Sequence, residues 1–547
     1  MSPRPVPPGV IAVAAQLAGG ELAAAAIPGA RGPVLGLVQQ LIHTTPGPAV
    51  DAGVATVETA DKALLKAGVV AGSLAAGALA SERPGRAVVL VATASTTAAA
   101  ASCEDVGVVP ALMAGAAGVA AGATAARLLG TRPAPRRQAL GAAVMVATVA
   151  ATKVLDRAAL RRLDEKRRAR PLPPAATPPA EPGLPIAGVS PLYTSVGSFY
   201  VTDVSARPPR VDPDGWRLGV RGMVDRELEL TLEEIESLGL VELDATLVCV
   251  HNPVGGDRIG TARWLGVPLS RLLEHVGVGL GADQMLARSI DGFTAGVPVE
   301  HIRSGAPALL AIAMNGERLP LEHGFPARLI VPGLWGADAN TKWLVELELT
   351  TWAAVQDYWD RRGWPRQPSR VQPGSRIDVP ANRARVEPGT VTVAGVAWAP
   401  PAGVDGVEIQ VDEQPWRAVE LGVEVAPTMW RQWKWAWEAT PGEHVLRVRA
   451  IGRRRTQPGG AEPPYPVGVR GYHEHRLAVV AGRRPRTRRA LAFVDDARGR
   501  LELAARGLVA WRQRGFPPAP RFPAPVPRGP HAPAPAPSPE AAPSPRP

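Results

Sequence analysis

The chain is poor in cysteine and, over its first third, in aromatic rings. Of its 547 residues only Cys103 and Cys249 are cysteines. Two thiols exclude a disulfide framework, a four-cysteine zinc site and a cysteine-ligated iron–sulfur cluster within this chain. No C-x-x-C-H is present, which excludes covalent c-type haem. No RNP, zinc-finger or basic-zipper pattern occurs either. The net charge is +11 at pH 7, but the Arg is scattered through an Ala/Gly/Pro/Arg-rich chain rather than gathered on a motif. The expectation is no nucleic-acid partner. Residues 1–155 contain no Phe, Trp or Tyr, and all 14 Trp follow residue 200.

What the first third does contain is Ala, Val, Leu and Gly. Apolar stretches run at roughly 9–30, 64–80, 87–102, 107–129 and 139–155. Crossing a hydrocarbon core takes about 20 apolar residues, so 1–156 is expected to be a transmembrane helical region of about five spans. A soluble Ala-rich helical domain is the competing reading. Arg83 and Arg86 in one loop, and Arg132, Arg136 and Arg137 in another, mark the cytoplasmic side. Glu104 and Asp105 then fall outside, and everything after residue 156 is extracytoplasmic. The chain reads as a multi-pass cell-membrane protein in contact with membrane lipid. Arg136-Arg137 ahead of an apolar run also resembles a twin-arginine export signal. RAALRRLDEKRRAR (157–170) looks like a short helix with seven basic residues, which pulls against that orientation.

The rest divides by composition. Residues 157–190 are a basic helix and a Pro-rich linker, 191–375 a mixed α+β domain, 386–480 a β-sandwich, and 481–547 a helix (488–512) with a disordered Pro/Ala-rich tail. In the sandwich region VTVAGVAW, GVEIQVD, WKWAWEA and HVLRVRA alternate with turns at intervals of about ten residues. Period-2 alternation puts Trp433, Trp435 and Trp437 on one face, as expected of an immunoglobulin-like fold.

The chemistry gathers around TLVCVHNPVGG (246–256), where Cys249 ends an apolar run before turn-forming Asn-Pro and Gly-Gly. Taken alone, the thiol is open to several readings: a buried structural Cys, half of a disulfide with Cys103, a zinc ligand with His251, or a nucleophile served by His251. A further reading is a lone thiolate on a metal whose other ligands come from an organic cofactor. Arg328 and Lys342 flank a glycine-containing loop and suit a phosphate. Arg258, Arg263 and His251 are candidates for an anion pocket.

Five blocks carry a family resemblance. They are CVHNPVGG, ARWLGVPLSRLLEHVGV (262–278), SIDGFTAGVPVE (289–300), MNGERLPLEHGFPARLIVPGLWG (314–336) and TKWLVELEL (341–349). In order and spacing they resemble the molybdenum-cofactor domain of the sulfite oxidase family over residues 192 to 375. The N-terminus, down to TPG…ETADK at 45–62, resembles a membrane-anchored actinobacterial branch.

The resemblance implies a molybdenum held by the dithiolene of one molybdopterin and by one cysteine, here Cys249. It implies that His323, Arg328 and Lys342 hold the pterin and its phosphate, with Asn340 and Thr341 lining that loop. Ser289 matches a polar contact. Ser198, Val201 and Thr202, in GSFYVTDV, match an early segment that touches the pterin. The implied activity is two-electron oxo-transfer on a small-molecule substrate, with a separate electron carrier or quinone and a homodimer built on the sandwich. Pro253-Val254 stand where animal and plant enzymes carry a sulfite-binding Arg, and Trp335 where close relatives often have Tyr. Sulfoxide reduction is therefore as much an expectation as sulfite oxidation. The rival expectation is a membrane-tethered binding or assembly protein that kept the fold without catalysis.

Overall fold

The computed structural model describes residues 8–26, six single positions between 34 and 73, residues 154–172 apart from 156, 183–460 apart from 206 and 207, and 468–481. Helix α1 (Pro8–Ala26) lies in the first apolar stretch. Among the described residues no helix is long and apolar enough to cross a membrane. The other four stretches fall almost wholly outside the described residues, as do Cys103, the 488–512 segment and the tail.

The helix expected in the basic segment forms over 157–169. Its charges face partners much later in the chain. Lys166 pairs with Asp212 and Asp214 at 2.9 and 2.8 Å, and Arg170 with Asp214 at 2.7 Å and with Glu233. Arg167 is buried and donates to the Arg318 carbonyl at 2.8 Å. The helix is therefore part of the domain surface.

Two sheets build the central region. Strands β1 (Leu218–Gly222), β2 (Leu228–Leu230), β3 (Val241–Val248), β4 (Ile259–Pro268), β5 (Gln284–Ser289), β6 (Thr294–Pro298), β7 (Leu309–Met314), β8 (Glu317–Arg318), β9 (Arg328–Ile330) and β10 (Leu344–Thr350) follow in chain order. One sheet has the order β2-β1-β10-β5-β6; the other is β3-β4-β7-β8, with β9 on β7. The β1–β10 pair is parallel and joins residues more than a hundred positions apart. Helix α2 (Leu232–Ser237) begins with a reciprocal cap: the Glu234 N–H donates to Thr231 Oγ1 at 3.1 Å and the Thr231 N–H to Glu234 Oε2 at 2.7 Å. Helix α3 (Leu269–Val276) buries Leu269, Leu272, Leu273 and Val276, the i, i+3, i+4, i+7 stripe of its sequence. That stripe joins the main core with Leu218, Val220, Ile312 and Leu347.

Nine further strands, β11 (Gly374–Val379) through β19 (His473–Val479), form two more sheets. Here β12 is Arg385–Val386, β13 Gly389–Trp398, β14 Val404–Val411, β15 Arg417–Ala418, β16 Glu420–Leu421, β17 Arg431–Ala439 and β18 Gly442–Gly452. The strand order is β11-β13-β17-β16 in one and β12-β19-β18-β14-β15 in the other. Trp433 and Trp437 of β17 are buried between the sheets with Val407, Ile409, Leu446 and Val448, and Trp435 packs on the same cluster. The expected Trp face is thus core. A third cluster joins this β-rich region to the end of β3: Val248, Val250 and Trp335 pack against Val396, Trp398 and Trp430.

Candidate active site

Cys249 follows directly on β3. Alternation along an extended chain puts Ala245, Leu247 and Cys249 on one side and Val248 and Val250 on the other. The core clusters agree. Ala245 and Leu247 pack with Phe199 and Trp264, whereas Val248 and Val250 pack toward the sandwich. The turn to β4 is closed by hydrogen bonds from the Cys249 N–H to Arg258 O (3.0 Å), the Asn252 N–H to Cys249 O (2.9 Å) and the Arg258 N–H to Asn252 Oδ1 (2.9 Å). Gly255 supplies a left-handed residue at φ +74.

The sandwich holds this turn from outside. Arg376 donates to Gly256 O at 2.6 Å while pairing with Asp378, and the His473 ring lies where a Gly255 Cβ would stand. The Cys249 thiol is 3 % exposed and its Sγ is 3.8 Å from Thr202 Oγ1. Burial opposes its ionisation, but the His251 hydrogen bond and charge, with Arg258, outweigh burial and hold it below the usual thiol range.

A second group forms around Gly324. At φ +108 this residue needs no Cβ; one would stand 3.1 Å from the Cβ atoms of both Arg328 and Lys342. His323, Arg328 and Lys342 are thereby brought together. The Arg328 guanidinium is buried over the Trp264 ring, 5.1 Å from its centroid, and donates to His323 O at 3.0 Å. Burial pulls its pKa down to about 10, so it remains a cation at neutral pH. Asn340 and Thr341 are buried beside it; Asn340 Oδ1 accepts from the Val331 N–H at 2.7 Å. His323 Nε2 donates to Val196 O at 3.1 Å, and burial with Arg328 pushes its pKa down to about 4, so the ring is neutral. Lys342 Nζ donates to Glu322 O at 2.7 Å and pairs with Asp203. Ser289 ends β5 opposite Leu344, and the next residue bonds to Trp343 O, which seats Ser289 at the Trp343–Leu344 start of β10.

Cys249, Thr202, His323, Arg328, Asn340, Thr341 and Lys342 are thus linked through contacts and chain neighbours, and Ser289 lies at the adjoining strand end. Ser198 and Val201 belong to the adjoining segment but face outward, Val201 at 44 % exposure. Of the three anion-pocket candidates, Arg258 and His251 stay together, with Arg258 Nη1 donating to His251 O at 3.4 Å. Arg263 is committed to Asp244 at 2.9 Å and to the Tyr193 ring.

Three site residues have no counterpart in the sequence reading. Tyr200 is half-buried near both Cys249 and Arg328; desolvation, helped by Cys249, raises its phenol pKa. Its hydroxyl lies 3.1 Å from where a Gly336 Cβ would be, so Gly336 makes room for it. Asp203 pairs with Lys342. Asp338 is buried near Cys249, and burial with Asp357 pushes it up to about 8, so it is protonated at neutral pH. The only signal for Asp338 was an acid inside the otherwise apolar LWGADAN; Asp203 and Tyr200 gave none.

Comparisons with known proteins converge on one family. The oxidoreductase molybdopterin binding domain matches residues 205–359. Sulfite oxidase from Gallus gallus is 31% identical over 325 residues, covering 49% of this chain and 70% of that protein. An uncharacterized oxidoreductase, YuiH, of Bacillus subtilis is 30% identical over 176 residues, covering 32% of this chain and 85% of its own length. The mitochondrial sulfite oxidase of Homo sapiens is 28% identical over 302 residues, which are 47% of this chain but only 55% of that enzyme. With the cysteine turn and the buried basic loop in place, the chain belongs to the sulfite oxidase family and is a molybdopterin-dependent oxidoreductase with a molybdenum cofactor.

Proposed function

We propose that this is a membrane-anchored oxidoreductase that carries out two-electron oxo-transfer on a small molecule, with Cys249 as the protein's ligand to molybdenum. The observation that carries the reading is a set of buried donors without partners among the described residues: Arg328 Nε, Asn340 Nδ2 and Thr341 Oγ1. Leaving such groups unpaired is costly. All are donors, on one loop and strand, beside a buried cation. That chemistry fits an anionic, oxygen-rich group such as the phosphate end of a pterin. Cys249 fits the other end, since a soft thiolate suits the metal and coordination keeps it deprotonated.

The cofactor supplies the two-electron oxygen-atom chemistry; the protein binds, orients and excludes water. Arg328 and Lys342 neutralise the anionic end. Neutral His323, fixed by Val196 O, offers its other ring nitrogen as an acceptor. Ser289 sits opposite Leu344, two residues along the chain from Lys342, and Ser198, Val201 and Thr202 lie on the segment that crosses the site. Protonated Asp338 puts no negative charge next to the Cys249 thiolate. The turn after Cys249 carries Pro253 and Val254 in place of a fixed cation, which supports a neutral or weakly anionic oxygen donor, such as a sulfoxide, at least as well as sulfite.

The apolar stretches and their flanking arginines support a cell-membrane location with the catalytic region extracytoplasmic. The ion pairs of Lys166 and Arg170 to acidic partners on that region lessen the objection from the basic helix. We read residues 386–480 as an immunoglobulin-type sandwich, its faces available for a homodimer, and a separate carrier or quinone as the electron partner.

The test is metal and pterin analysis of protein from a molybdate-supplied host. About one molybdenum and one molybdopterin per chain are expected, and the metal is lost in Cys249→Ser. Folded wild-type protein without metal would sink the proposal. A reporter fused after residue 190 tests topology; activity in the cytoplasm would overturn the external placement.

A further inference from the structure

Residues 196–203 form a strap across the site. Val196 O accepts from His323. Phe199 is buried, its ring meeting His323 and Trp264 edge-on at 5.7 and 5.6 Å. Tyr200 stacks on Phe199 at 5.3 Å and reaches the room left by Gly336. Thr202 Oγ1 lies 3.8 Å from Cys249 Sγ. Asp203 closes the far end on Lys342, with side chains 4 % and 11 % exposed, respectively.

The main chain does little to hold the last part of this strap. Among the described residues, no backbone hydrogen bond ties residues 200–203 to a neighbouring strand. Their placement rests on side chains. Among the described residues the salt bridge they make is Asp203–Lys342, and a buried carboxylate separated from its cation would be strongly unfavourable. The cation is itself fixed, since Lys342 also donates to Glu322 O and lies 4.5 Å over the Trp343 ring.

We infer that Asp203 is a positioning residue: its ion pair with Lys342 latches the 196–203 strap over the cofactor site, seating Thr202 against Cys249 and setting the Lys342 ammonium toward the anionic end of the cofactor. The inference rests on the reading of Lys342 as a cofactor-binding cation. The latch itself, however, is a property of the chain. It couples the two ends of the site, the thiol and the ammonium, through two consecutive residues, Thr202 and Asp203.

The experiment is hydrogen-exchange mass spectrometry on the full chain, purified from hosts grown with and without molybdate. In the cofactor-free chain, Asp203→Asn should speed exchange of amides 199–204 by about tenfold or more while leaving the β3–β4 amides protected. Lys342→Gln should do the same, and the double variant should add little, since both remove one interaction. The exchanged pair Asp203→Lys with Lys342→Asp should restore protection of the strap. In the loaded protein, Asp203→Asn should release fluorescent pterin about tenfold faster on dilution. Unchanged strap exchange in Asp203→Asn, or fully additive effects of the two single variants, would overturn the latch. Absence of metal from the wild type would instead sink the proposed function and leave the exchange result to judge the latch alone.

Discussion

His473 offers a quantitative test of how the sandwich supports the cysteine turn. Its Nδ1 accepts a hydrogen bond from the Ile377 N–H at 3.0 Å, its ring abuts Gly255, and His475 lies 4.6 Å away. Burial, then His475, then Arg376 push its pKa down to about 3 from an ordinary 6.5. The folded state therefore resists a proton that the unfolded chain accepts. Stability is retained above about pH 6.5 and lost as pH falls toward 3. At pH 5 the unfolded chain is favoured by about 1.5 pH units of proton binding, or about 2 kcal/mol, with the full penalty of roughly 5 kcal/mol reached only near pH 3. His473→Asn keeps an acceptor near the Nδ1 position but cannot charge. Free energies from the slowest-exchanging amides of β18 and β19 should fall between pH 7 and pH 5 in wild type, with about 2 kcal/mol of that fall missing in the variant. An acid loss as large in His473→Asn as in wild type would refute the argument. His475, whose pKa is also lowered by burial, adds acid sensitivity in the same direction that both proteins share.

Three other perturbations probe the site's supports. Gly468 sits at φ +85 with Trp335 ring carbons 1.9 Å from where its Cβ would be, so Gly468→Ala should cost roughly 2–4 kcal/mol and lower the Tm by several degrees in calorimetry; an unchanged Tm would contradict the packing. Arg328→Lys keeps the charge but loses the forked donors, and pterin affinity should weaken roughly thirtyfold, about 2 kcal/mol, in a release assay; wild-type release would argue against a buried anion there. Asp338 is held protonated to about pH 8, so the unfolded state gives up its proton first and stability falls as pH rises from about 4 to 8. Asp338→Asn should match wild type at or below about pH 4 and exceed it in denaturant midpoint at pH 9; equal midpoints at pH 9 would refute the raised pKa.

Local patterns carried much of the fold. The apolar stripe of α3, the Thr231–Glu234 cap and the Trp alternation of β17 are set by neighbours within a few residues, so periodicity exposes them. The cysteine turn was legible for the same reason, because Asn-Pro and Gly-Gly specify it locally. Pairings across the chain were not legible. Parallel β1–β10, the Arg376 and His473 hold on the Cys249 turn, and the docking of the basic helix on Asp212, Asp214 and Glu233 all join distant segments. Asp203 and Tyr200 were missed because a single polar residue in an irregular segment has no period. Their roles appear only when Lys342 and Cys249 are brought to them. Arg263 looked equivalent to Arg258 in sequence, yet a carboxylate across the β3–β4 ladder, Asp244, claims it.

The central claim is that Cys249 is the protein's ligand to molybdenum, and X-ray absorption at the molybdenum edge of the purified full chain tests it most directly. With one dithiolene and one thiolate the wild type should show about three sulfur neighbours, and any molybdenum retained by Cys249→Ser only about two. Equal sulfur counts in the two proteins, or molybdenum bound without a protein thiolate in the wild type, would contradict the account.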